Sequence, residues 1–224
     1  LVSAPVVNEA NELIGRITID DVVDVIREDA EHSILSMAGL DEDEDLFAPV
    51  LKSAPRRGLW LGVNLITALI ASWVVGLFQA TINDVVALAV LMPVVASMGG
   101  IAGSQTLTLI IRAQALEQIS RSNARSLLGR ELAIGALNGI AWALLIAVVA
   151  LFWFDNQKLG MVIAIAVFIN MLFAALAGFS IPLILKRLSV DPALAGSVVL
   201  TTVTDVVGFL AFLGLGSILL VAVT

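Results

Sequence analysis

Five long apolar stretches constrain this chain more than any other feature: about Leu59–Ile82, Val85–Ile111, Leu132–Phe154, Leu159–Leu185 and Leu194–Val223. Each exceeds the roughly 20 residues a helix needs to cross a hydrocarbon core about 30 Å thick. Without water to satisfy the backbone, a spanning segment must pair its own N–H and C=O groups, which selects helices here. The expected fold class is an all-α membrane protein with five transmembrane helices, preceded by a small soluble segment.

Charge is distributed unevenly along the 224 residues. Of 19 acids, 13 lie between Glu9 and Asp45, and the rest of the chain carries six acids against ten basic residues. Nothing in this pattern suggests a nucleic-acid partner. The absence of cysteine rules out disulfides and thiolate metal sites. With His32 as the single histidine and no cysteine, one chain cannot assemble a Cys/His zinc site. The acidic start is not read as a signal peptide. Arg56, Arg57, Arg112, Arg121, Arg125, Arg130, Lys186 and Arg187 flank one side of the spans, and only Lys158 flanks the other. By the positive-inside rule the N-terminus is cytoplasmic and the C-terminus outside, as in a multi-pass plasma (inner) membrane protein. Trp60 and Trp153 stand where interfacial aromatics belong.

The soluble segment reads strand, turn, strand, and then a helix opening at Asp20. Residues 1–27 are similar to the C-terminal end of a CBS-like module, where a hairpin leads into a helix that begins with an acidic pair. Residues 28–57 form an acidic connecting helix and linker, and residues 58–224 the five-helix domain. Asp21, Asp24, Glu28 and Glu31 share one helical face, with Asp29 beside it. Like charges stacked every turn repel one another, and a divalent cation would relieve that repulsion. Asp41–Asp45 is expected to be a solvated linker.

The fifth span carries Asp205, a lone acid inside an apolar helix that opens on Asp191–Pro192, a capping carboxylate followed by a ring suited to the first helical position. Asp205 falls roughly 21 Å along that helix, near mid-bilayer. An ionisable group at that depth is costly, so it faces a bundle interior or a watery path. Ser197, Thr201, Thr204 and Gly208 accompany it at three- and four-residue steps. Hydroxyls around a single carboxylate suit Mg²⁺, which takes oxygen ligands and keeps its waters.

The second span carries Pro93, Gly99, Gly100 and Gly103. Proline removes a helical hydrogen bond, so a kink with exposed carbonyls is expected. Ser97, Gly100, Ser104 and Thr108 form another small-polar stripe there. Gly135 and Gly139 of the third span, and Asn170, Gly178 and Pro182 of the fourth, are expected to serve helix packing. Glu131 is expected at a span end.

PVVASMGGIAGSQTLTLIIRA in the second span and DPALAGSVVLTTVTDVVGF in the fifth resemble the membrane domain of the MgtE family of magnesium channels. The five-span arrangement and the CBS-like end leading into an acidic helix fit as well. The resemblance implies a homodimer with a pore along its axis, between the second and fifth helices. It implies that Asp205 holds hydrated Mg²⁺, with Ser97, Ser104, Thr108, Ser197 and Thr201 around it. The acidic helix would act as a plug that favours closure when cytosolic Mg²⁺ binds, making Mg²⁺ both cargo and regulator. The chain departs from the family at Ile101, Ser104 and Ser197, where asparagine is usual, so amide oxygens near the pore are lost. With most of the CBS pair outside this sequence, weaker gating by cytosolic Mg²⁺ is expected. Beside a channel stands a proton- or ion-coupled transporter of divalent cations such as Co²⁺ or Mn²⁺. An intramembrane aspartyl protease is disfavoured, because that chemistry needs two carboxylates and one chain has a single mid-span acid.

Overall fold

The computed structural model describes residues 2–37, 40, 47, 49–120 and 122–221. The linker acids 41–45 and Val223 lie outside these residues, as does Arg121. Compactness divides the chain into Leu1–Arg57 and Gly58–Thr224.

In the first unit, strands β1 (Ser3–Val7) and β2 (Leu13–Thr18) form an antiparallel hairpin, with Ser3 opposite Thr18 and Val6 opposite Gly15. A bulge between Val6 and Val7 shifts the register toward the turn. Asn11 adopts a left-handed φ of 61° there, a conformation asparagine tolerates better than most residues. Helix α1 (Ile19–Met37) follows directly and runs unbroken through residues 27 and 28. Asp21 Oδ2 accepts from both the Thr18 amide (2.7 Å) and the Thr18 hydroxyl (2.8 Å). The carboxylate thus reaches back to the helix entry as the acid of a capping box does.

Among the described residues five helices are long and apolar enough to cross a membrane. They are α2 (Val50–Gly76), α4 (Ala87–Ala115), α5 (Ala124–Phe154), α6 (Gln157–Arg187) and α7 (Pro192–Gly216), which ends in a π-helical turn, Ser217–Val221. The first span ends six residues earlier than hydropathy suggests. The Leu77 and Phe78 amides bond back to Val74 and Val75, tightening the last turn, and a separate short helix α3 (Gln79–Asp84) follows. Helix α5 starts eight residues earlier than its apolar stretch, because Arg125 through Glu131 supply a polar first two turns that hydropathy does not register. Asp191 caps α7 as expected, accepting from the Ala193 amide at 2.9 Å.

Helix α6 is the centre. Its Val162, Ile163, Ala166 and Val167 are buried with Leu88, Leu91 and Val95 of α4 and Phe212 and Leu213 of α7. Lipid is as apolar as these side chains, so close fit rather than expulsion from water must hold the helices together. Small residues let backbones approach. A Cβ added at Gly178 of α6 would lie 2.6 Å from the Gly103 carbonyl oxygen of α4, and one at Gly135 of α5 would lie 2.9 Å from the Ala175 Cβ of α6. Over most of its length α2 instead turns Leu59, Leu61, Leu65, Ile66 and Trp73 outward, a surface suited to hydrocarbon.

The Gly178 contact is backbone against backbone and cannot relax by rotating a side chain. Gly178→Ala should lower stability by about 1–3 kcal/mol, the usual cost of overpacking. Thermal unfolding of the detergent-solubilised protein would show this as a reduced midpoint.

Candidate functional site

Two rows of residues run along α7 at four-residue steps, and packing treats them differently. Gly196, Leu200, Thr204, Gly208, Phe212 and Gly216 are all buried. One residue further on, Ser197 and Asp205 are half-buried and Thr201 is exposed. Such a row forms a ridge inclined to the helix axis, so burying one ridge leaves its neighbour outside. Thr204, grouped with the open residues in the sequence, is fully buried, and its hydroxyl donates to the Leu200 and Thr201 carbonyls at 3.1 Å. Thr201 donates to the Ser197 carbonyl at 2.9 Å, which leaves its oxygen lone pairs available on the open side.

Helix α4 repeats the arrangement. Leu91, Val95, Gly99, Gly103 and Leu107 are buried, and the adjacent row of Gly100, Ser104 and Thr108 is open. Ser104 Oγ donates to the Gly100 carbonyl at 2.8 Å. A groove over this row is lined by Gly100, Ile101, Ser104, Gln105, Thr108 and Leu109, all of α4. Ser97 and Ile101 are exposed on the same helix. The helix is continuous through Pro93, from Ala87 to Ala115.

The two buried rows interlock. Leu200 of α7 fills the space beside Gly103 of α4, and Leu107 of α4 lies against Gly196 of α7. At the third point of contact Asn170 of α6 sits between Gly99 and Gly208, fully buried, and its Nδ2 donates to the Val95 carbonyl at 2.8 Å. Asn170 was expected to serve packing, and its position at the α4–α6–α7 crossing gives that role its geometry. The open rows on α4 and α7 each flank this interlocked seam.

Glu131 lies near the start of α5, as expected of a residue at a span end, and it is also buried. It is 6% exposed, with Oε2 accepting from the Thr106 hydroxyl of α4 at 3.1 Å and Oε1 accepting from Arg130 at 3.0 Å. Its partner Thr106 stands 25 positions away, so no local pattern announces the pair. Among the described residues no three His, Cys, Asp or Glu side chains converge on one point, and Asp205 is the acid on the open row.

Of the acids of α1, Asp24 and Glu28 are exposed, Glu31 pairs with Arg27 at 2.9 Å, and the Asp29 side chain lies outside the described residues. The bond from the Thr18 amide, and secondarily that from its hydroxyl, holds the Asp21 carboxyl below its usual range.

This architecture defines a polytopic α-helical membrane protein, with small-polar rows beside its central seam and one acid at mid-span. Residues 92–215 match the divalent cation transporter family MgtE, and the chain belongs to that family. It is 33% identical over 213 residues to the magnesium transporter MgtE of Bacillus subtilis, covering 95% of this chain and 47% of that protein. The magnesium transporter MgtE of Thermus thermophilus is likewise 33% identical over 221 residues, covering 98% and 49%. The chain thus spans about half the length of the curated relatives it matches.

Because the folded Asp21 pKa is depressed, its stabilising effect is present above the unfolded value near 3.9 and fades as pH falls through the lower folded one. The Asp21 carboxyl carbon, followed by NMR, should titrate below 3.8. Thr18→Val, which keeps the amide donor and removes the hydroxyl, should bring that midpoint only part of the way back.

Proposed function

We propose that this chain forms the membrane part of a Mg²⁺ channel that carries Mg²⁺ into the cytoplasm, with Asp205 as the ligand that meets the hydrated ion. The observation that carries this reading is the position of Asp205: mid-helix in α7, half-buried, and on the open row with Ser197 and Thr201. A hydrated Mg²⁺ needs oxygen acceptors for its water shell and enough negative charge to offset the cost of entering the membrane. Few charges acting through water also let the ion leave, which conduction requires.

One carboxylate is little for a dication. A two-fold axis beside the open rows would bring a second Asp205 to the ion, together with Ser97, Gly100, Ser104 and Thr108 of both copies. That the relatives are magnesium transporters supports Mg²⁺ as the cargo. In this reading the CBS-like hairpin and the acidic α1 belong to a cytoplasmic regulator, and Asp24 and Glu28 are its exposed cation-sensing acids. Asp21 and Glu31 already serve a helix entry and an ion pair. Ile101, exposed beside the α4 row, puts an apolar side chain at the pathway's edge and relaxes selectivity among divalent ions.

A second reading, ion-coupled transport, gains support from Glu131, a further acid held inside the helical bundle. A proton gradient would then drive Mg²⁺ uptake, and Glu131→Gln would abolish that drive. A channel instead responds to voltage and to the Mg²⁺ gradient alone.

In proteoliposomes, Asp205→Ala and Asp205→Asn should each reduce Mg²⁺ uptake by roughly 10- to 100-fold, the factor lost with a charge-assisted contact of about 1.5–3 kcal/mol. Both variants should keep the parent's unfolding midpoint. Normal uptake by Asp205→Asn would remove the acid from the pathway and end this reading.

A further inference from the structure

Between α4 and α5 lies a cleft that the transport reading leaves unused. Its wider part, about 450 Å³, is bordered on α5 by Arg130, Glu131, Asn138 and Trp142 and on α4 by Met98 and Gln105. A narrower part of about 120 Å³ shares Met98 and Trp142 and continues to Val94, Leu145, Ile146 and Val149. From Arg130 to Val149 the cleft follows α5 for about 28 Å.

Polarity changes in one direction along it. Arg130 and Glu131 stand at one end, the exposed amides of Gln105 and Asn138 come next, and beyond Trp142 the walls are entirely apolar. At the charged end both Glu131 oxygens are already engaged, by Thr106 and Arg130. The Arg130 side chain remains 65% exposed. Its guanidinium has five N–H donors, of which Glu131 uses one. Arg112 near the end of α4 and Arg125 near the start of α5 are also exposed, on the side of the span where Arg130 lies, with Glu117 as an exposed acid in the connection between them. The occupant must therefore carry an anionic group, then hydrogen-bond acceptors, then a hydrocarbon chain. A helix, about 10 Å across with side chains, would need several times this volume over the same length.

We propose that the cleft binds one molecule of an acidic glycerophospholipid. Its phosphate lies on Arg130, its ester oxygens accept from the Gln105 and Asn138 amides, and one acyl chain runs past Trp142 toward Val149. Basic residues at the edge of a bilayer attract acidic lipids in this way. Ile101, Gln105 and Leu109 border both this cleft and the groove over Ser104 and Thr108, so the lipid stands one side chain away from the open row of α4.

The test is lipid binding by the purified full chain in detergent, read by native mass spectrometry with phosphatidylglycerol and phosphatidylcholine of matched acyl chains. The parent should retain one phosphatidylglycerol per chain in preference to phosphatidylcholine. Arg130→Gln should reduce phosphatidylglycerol affinity about fivefold, the factor one basic residue is worth near an acidic surface, and Arg130→Lys should restore most of it. Asn138→Trp, which fills the cleft from an exposed position, should displace both lipids without lowering the unfolding midpoint in lipid-free detergent. Equal phosphatidylglycerol binding by the parent, Arg130→Gln and Asn138→Trp would mean surface lipid only and overturn the proposal. Unchanged lipid binding with a changed oligomeric mass for Asn138→Trp would give the cleft to a second copy of the chain and overturn it equally.

Discussion

The close crossing of α4, α6 and α7 around Asn170 is the contact on which the rest of the membrane domain depends. Hydrocarbon offers these helices no reward for burying leucine, so cohesion must come from van der Waals fit and from polar contacts across the seam. Asn170 supplies both. Its amide donates to the Val95 carbonyl, and its side chain fills the space that Gly99 and Gly208 leave on two other helices. Its Oδ1 has no partner among the described residues, a cost of about 1–3 kcal/mol unless a buried water meets it. That such a group stands at this point argues that the seam's geometry outweighs the penalty.

The seam also decides which residues of α4 and α7 stay open. Gly103 against Leu200 and Gly196 against Leu107 commit one ridge of each helix to the interior, and the next ridge of each turns outward as a consequence. Ser104 and Thr108 on α4, and Thr201 and Asp205 on α7, are therefore open because their neighbours one residue back are packed. The interior and the candidate pathway are two results of one packing decision.

The acids are sorted by how they are satisfied. Asp21 and Asp191 serve helix entries, Glu31 takes Arg27, and Glu131 takes Thr106 and Arg130. Among the described residues Asp205 has no such partner, only a half-buried position on an open row next to hydroxyls that bond within their own helix. An acid left in that condition at mid-span is the feature on which the proposed Mg²⁺ pathway rests.

Hydropathy was enough to place the five spans, because a bilayer sets a length and polarity that a single segment must meet alone. The Asp191–Pro192 entry to α7 was legible for the same reason: a helix cap is settled within a few residues. The end of α2 at Gly76 and the early start of α5 were less legible, since a tightened turn and a polar first turn leave no trace in apolar length. What only the tertiary structure decided were the relations between segments. Thr204 and Asp205 are neighbours with similar claims to the open face, and nothing local separates them; the ridge that meets α4 and α6 does. Glu131 becomes buried only because Thr106 comes to it from another helix, and Asn170 becomes a seam residue only because two glycines do. A sequence determines what each helix can offer, but burial is a property of the ridge a neighbouring helix selects, and that selection exists only in three dimensions.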